Sequence, residues 1–131
     1  MKAYFIFNNL KVNTFNLQDQ PFPGFELLTW EHESFVDGTL WDLGEDAGYT
    51  EIGLTKVHGQ IWLAHDEYKI RELEFFLGVD SGLTEAVETE AYILTHDVAE
   101  KICAVVYRLR EIKSIYKIVP DGKWMIKRIA S

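Results

Sequence analysis

Residue types that do acid–base, nucleophilic or metal chemistry gather at a few places in this chain. Glu31-His32-Glu33 and His65-Asp66-Glu67 mix carboxylates with imidazoles, the donor set of a divalent-metal site. Glu74 and Glu85 are single carboxylates of the kind that shuttle a proton when they come within hydrogen-bond reach of a reacting group. Cys103 is the one cysteine and the one thiol nucleophile available. Spacing argues against most of these. Successive residues on a strand face opposite ways, so Glu31 and Glu33 share a side without His32. Asp66 is better placed to open a helix, and no His-x-x-x-His pairing occurs, so no metal is expected. Cys103 lies in the apolar run Ile102-Cys-Ala-Val-Val-Tyr107 and reads as a small core residue. No glycine-rich phosphate loop or nucleotide fingerprint is present, and no cofactor is expected.

The elements that must position these groups follow from hydrophobic period. Val57, Gly59, Ile61 and Leu63 recur at every second residue, the mark of a half-buried strand. Asp66 then supplies an N-cap, and Ile70, Leu73, Phe76 and Leu77 form one apolar helical stripe. Gly78 closes that helix because glycine tolerates the left-handed turn that ends it. Ala3–Phe7 reads as a buried strand stopped by Asn8-Asn9, and residues 11–24 as an irregular connection. Phe25–Leu28 is expected to form one helical turn. Strands are expected over Thr29–Val36 and Gly38–Leu43 with a hairpin at Asp37-Gly38, then over Glu85–Leu94 and Ile102–Leu109. Phe5, Phe7, Trp41, Trp62 and Phe76 are the expected aromatic core.

The chain has 131 residues, 47% of them hydrophobic and 14% aromatic, enough for one globular domain over residues 1–131. A single cysteine suits a reducing cytoplasmic setting. No apolar run is long enough to span a membrane, and the N-terminus turns polar too soon for a signal peptide. Thirteen basic and 21 acidic residues give a formal net charge of −8. From Arg108 onward seven basic and two acidic residues leave +5, so the first 107 residues carry −13. An acidic body disfavours nucleic acid as a partner. The basic end is expected to lie against acidic surface, since it also holds core-like Ile115, Ile118, Trp124 and Ile126.

The order of residue types adds a resemblance. Val57-x-Gly59-x-Ile61-Trp62 followed by Leu73-Glu74-x-Phe76-Leu77-Gly78 resembles the core of the gamma-glutamylcyclotransferase-like, or AIG2-like, superfamily. Its pattern there is Val-x-Gly-Glu-Val-Tyr/Trp and then Leu-Asp-x-Phe/Gln-Glu-Gly. Tyr4-Phe5-Ile6-Phe7-Asn8-Asn9-Leu10-Lys11 is similar to the family's opening Phe-Val-Tyr-Gly-Ser/Thr-Leu-Arg, with Asn8 in place of the glycine. Gly38-Thr-Leu40-Trp41-Asp42-Leu43-Gly44, Ala104-Val-Val-Tyr107 and Ile118-Val-Pro-Asp-Gly122-Lys-Trp124 continue the match in the family's order. Leu83 and Glu85 stand where the family has Tyr-x-Arg.

The resemblance implies an α+β fold. It is a small mixed β-barrel-like sheet with few helices, the N-terminal strand central and the Asp66–Leu77 helix near the barrel mouth. It implies a reaction in which a substrate's α-amine attacks its own γ-carbonyl to give 5-oxoproline, with a carboxylate moving the proton. That carboxylate's position is occupied by Leu77, so no catalytic residue is assigned; Glu74 and Glu85 are the fallback acids. The backbone amides of Phe7, Asn8, Asn9 and Leu10 would hold a γ-glutamyl group, with Leu43 and Gly44 on the opposite wall. Three functions follow as expectations: a pseudoenzyme that keeps a pocket for a γ-glutamyl-type small molecule, an active cyclotransferase using Glu74 or Glu85, or an acidic module that binds a protein partner. No membrane or nucleic-acid partner is expected in any of them.

Overall fold

Successive apolar side chains of the N-terminal strand enter two different buried layers. The structure, a computed structural model, describes residues 2–7, 25–29, 32–44, 46–96 and 98–124. Asn8, Asn9, Leu10, Glu31, Ile126 and the side chain of Phe76 lie outside the described residues. Along β1 (Lys2–Ile6), Ala3 and Phe5, with Phe7 just beyond, enter one buried cluster, while Tyr4 and Ile6 enter another. Both faces of β1 are therefore covered. That is why Ala3–Phe7 reads as a continuous apolar run.

The strands are β2 (Phe25–Leu27), β3 (Glu33–Asp42), β4 (Ala47–Ala64), β5 (Thr84–Thr95), β6 (Val98–Leu109) and β7 (Lys117–Ile118). Their order is β2-β4-β1-β6-β5-β3-β7, and β3 pairs with β4 as well. That extra pairing closes a five-membered ring, β4-β1-β6-β5-β3, leaving β2 and β7 as short additions. The β1–β6 pairing is parallel and the others are antiparallel, so the barrel-like sheet is mixed. Inside the ring lie Phe5, Val36, Leu40, Tyr49, Val57, Ile61 and Val106, with Val119 and Trp124 from the C-terminal segment. Backbone bonds from Val119 to the Leu40 carbonyl (2.8 Å) and from His58 to the Gly122 carbonyl (2.8 Å) hold that segment against the ring.

The outer layer is built by α1 (Glu67–Phe76). Leu73 and Leu77 pack with Tyr4, Ile6, Trp62, Val105 and Tyr107, residues of β1, β4 and β6. The expected cap is present: the Asp66 carboxylate accepts the Tyr68 N–H at 2.8 Å. The helix ends in a Schellman motif, with Val79 N–H to the Glu74 carbonyl, Gly78 N–H to the Phe75 carbonyl, and Gly78 at φ +86°. Burial of a leucine is worth roughly 1.5–3 kcal/mol and a cap about 1, so packing of Leu73 and Leu77 does more than the caps to fix the helix. No helix among the described residues is long and apolar enough to cross a membrane.

Four expectations are corrected. Phe25–Leu27 is a strand, not a helical turn: Phe25 and Leu27 are buried with Glu26 exposed between them, and all three pair with β4. Asp37-Gly38 is not a hairpin. β3 runs straight through it, and the pairing shifts from Gly38↔Thr55 to Thr39↔Thr50, which leaves residues 51–54 of β4 bulged out. Glycine is needed there because a Cβ would strike the Tyr49 ring and the Thr50 carbonyl. Cys103 is exposed. It shares a strand face with Val105 and Tyr107, but only those two lie in the cluster under α1. In the C-terminal segment Val119 and Trp124 are buried, whereas Ile115 and Ile118 are 76% and 56% exposed. Of the expected aromatic core Phe5, Phe7 and Trp62 are buried, and Trp41 is half-buried, its indole N–H donated to Thr50 Oγ1 at 2.9 Å.

Candidate functional site

At the end of the ring where β1 gives way to Phe7, the C-terminus of α1 meets the start of β4. A small cavity of about 30 Å³ lies here, lined among the described residues by Phe7, Asp46, Ala47, Gly48, Leu77, Leu83, Thr84 and Tyr107. The local chain explains how Leu77 arrives there. The Schellman turn reverses the chain after α1, and the buried Thr84 hydroxyl donates to the Leu77 carbonyl at 2.9 Å, tying the start of β5 to the end of the helix. Leu77 is 7% exposed. The cavity walls are largely apolar. Their one carboxylate, Asp46, is exposed and accepts the backbone N–H of Ala47 at 2.8 Å.

The sequence-derived positions fall as follows. Phe7 lines this cavity beside Leu77. Leu43 and Gly44 sit in the turn after β3, where Leu43 N–H reaches the Asp46 carbonyl and Gly44 N–H reaches Asp42 Oδ1. Asp46, Ala47 and Gly48, just after that turn, are the residues that form the wall. Glu74 lies one helical turn from Leu77 but on the outer layer, half-buried, where it accepts the Tyr107 hydroxyl at 3.0 Å. Glu85 is in β5, where its Oε1 accepts from Arg108 Nε at 2.8 Å; Arg108 also pairs with Glu51 of the bulge. Neither Glu74 nor Glu85 lines the cavity.

Two residues that spacing did not single out matter here. Tyr107 bridges the cavity and Glu74, and Tyr4 stacks on it with ring centroids 6.4 Å apart. Burial, then the charge and hydrogen bond of Glu74, hold the Tyr107 phenol well above its ordinary range; burial and Glu74 also raise Tyr4. The signal for Tyr107 was in view as the last residue of Ala104-Val-Val-Tyr107, but nothing in the sequence tied it to Glu74. Among the metal-type donors, His65 Nε2 lies 3.2 Å from Glu26 Oε2, and Asp66 is occupied as the cap. No three such donors converge among the described residues.

A closed mixed ring with one helix over its outer face is the gamma-glutamylcyclotransferase-like fold. Solved structures similar to this chain include protein ytfP from Escherichia coli, 19% identical with a TM-score of 0.64, the match covering 96% of this chain and 98% of that one. An uncharacterized protein from Pyrococcus horikoshii is 13% identical with a TM-score of 0.63, covering 99% and 95%. A gamma-glutamyl cyclotransferase is 14% identical with a TM-score of 0.59, covering 89% and 69%. No protein-family profile and no curated protein sequence matches the chain. At these identities the likeness speaks for fold and not for activity.

Proposed function

We propose that this chain is a gamma-glutamylcyclotransferase-like protein that does not carry out cyclotransfer. One observation supports it above the others. Where α1 delivers residue 77 to the barrel end, it delivers a leucine into a cavity of about 30 Å³. That volume holds about one water, whereas pockets for small-molecule ligands run to roughly 300–1,000 Å³. Leucine cannot take a proton from an attacking ammonium. The fallback acids are engaged elsewhere, Glu74 with Tyr107 and Glu85 with Arg108.

The test is a product assay with γ-glutamyl amino acids and γ-glutamyl amines. The expected result is no 5-oxoproline above the uncatalysed rate, because loss of the acid–base group alone removes a factor of about 10² to 10⁴. Turnover that vanishes in Glu74→Gln or Glu85→Gln would instead establish an active enzyme with a relocated acid. A thermal shift with γ-glutamyl compounds or 5-oxoproline that Leu77→Trp abolishes would establish a pseudoenzyme that still uses the barrel-end pocket.

A further inference from the structure

A larger opening lies on the outer layer, at the other end of α1. It has a volume of about 510 Å³, and its walls include Lys2 and Tyr4 of β1, Ala64 at the end of β4, and Ile70, Arg71 and Glu74 of α1. That volume is within the usual range for a small-molecule site. Its floor is apolar at Ala64 and Ile70, and its polar groups differ in sign. Two of its cations, Lys2 and Arg71, make no ion pair among the described residues. Glu74 accepts one hydrogen bond there, from Tyr107 to Oε2, although an ionised carboxylate has about four acceptor sites. Beside it the buried Tyr4 ring makes stacking contacts, and its hydroxyl makes no hydrogen bond among the described residues.

Arg71 and Glu74 are three residues apart on the helix and so are surface neighbours, yet they do not pair with each other. A half-buried carboxylate and a free guanidinium therefore stand side by side above an apolar floor. From this juxtaposition we infer that the groove between β1 and α1 binds a small zwitterion, an α-amino acid with an uncharged side chain. Its ammonium fills the free acceptor positions of Glu74, aided by the Tyr4 hydroxyl. Its carboxylate takes the guanidinium fork of Arg71, with Lys2 on the facing wall. Its side chain covers Ile70 and Ala64. A plain amine or a plain acid satisfies only half of this arrangement. The site shares no lining residue with the cavity at Leu77.

The test is a titration of the full chain, followed by amide chemical shifts, with L-leucine, its decarboxylated amine 3-methylbutylamine, and its deaminated acid 4-methylpentanoate. Saturable shifts with L-leucine at residues 2–4 and 64–74 are expected. The amine and the acid should each bind about tenfold more weakly or worse, because each forfeits a charge-assisted contact. Arg71→Gln and Glu74→Gln should each weaken L-leucine by a similar factor. Arg71 is exposed, so its variant keeps the experiment decisive should the Glu74 variant fold poorly. Absence of saturation, shifts centred on Phe7 and Leu77, or an amine that binds as tightly as L-leucine would each overturn the assignment.

Discussion

Leu77 belongs to the same buried cluster as Leu73 and Tyr107 and also borders the barrel-end cavity. A carboxyl at this position would meet Phe7 and Leu83, and the hydroxyls of Thr84 and Tyr107 on the same wall are already donated to the Leu77 carbonyl and to Glu74. Leu77→Glu should therefore cost roughly 1–3 kcal/mol for the unmet polar group, with lost leucine packing added. The measurement is the urea midpoint against the parent at neutral pH, with an unchanged slope. A loss below about 1 kcal/mol would be ordinary surface behaviour and would mean that the cavity opens to receive a carboxyl. Glu85 makes a useful contrast. Its pair with Arg108 is partly exposed, and such pairs are worth about 0–1 kcal/mol. Glu85→Gln should fall in that range.

At the scale of elements, α1 is the piece whose ends and face were all legible: Asp66, the stripe through Leu73 and Leu77, and Gly78 carry strong, local signals. Two substitutions test how far those signals hold it. Asp66→Ala should cost about 1 kcal/mol for the lost cap. Gly78→Ala should cost at least as much, because φ is +86° and a new Cβ would sit 2.9 Å from Leu83 Cβ. Thermal midpoints of both variants, and of their combination, check this; additive losses are expected because the two ends share no contact. Strands β1, β5 and β6 were also legible, from alternation and apolar runs. β2 was not, because three residues are too few to establish a period. The Asp37-Gly38 step misled because a glycine beside aspartate marks a tight turn and a close backbone approach equally well, and only the pairing with residues 47–59 distinguishes them. Cys103 misled for a related reason. Apolar neighbours announce a strand, but where α1 stops covering its outer face is a tertiary fact. Likewise the hydrogen bond between Glu74 and Tyr107 spans 33 residues of sequence and left no local trace.

For the molecule as a whole, the two layers share a set of buried phenols whose titration reports on both at once. Tyr49 lies inside the ring, fully buried, with its hydroxyl donated to the Asp37 carbonyl at 2.7 Å. Burial, then the charges of Glu51 and Asp37, push it up to about 12. Tyr4 and Tyr107, under α1, are raised by burial and by Glu74. A phenol in the unfolded chain loses its proton near pH 10, while these three keep theirs in the folded state. Above about pH 10 the unfolded state therefore binds fewer protons than the native state, and stability falls as pH rises. Between about pH 10 and about 12 the proton that Tyr49 retains contributes a slope of about 1.4 kcal/mol per pH unit. Stability from these groups is thus fully present below pH 10 and is lost progressively above it. The phenolate absorbance of Tyr4, Tyr49 and Tyr107 should rise together with loss of the near-ultraviolet dichroism of the buried aromatics. Tyr107→Phe should remove one unit of that alkaline slope, at the cost of leaving Glu74 without its donor. If phenolate absorbance rises to completion while dichroism persists, the phenols are not held by the two layers as described.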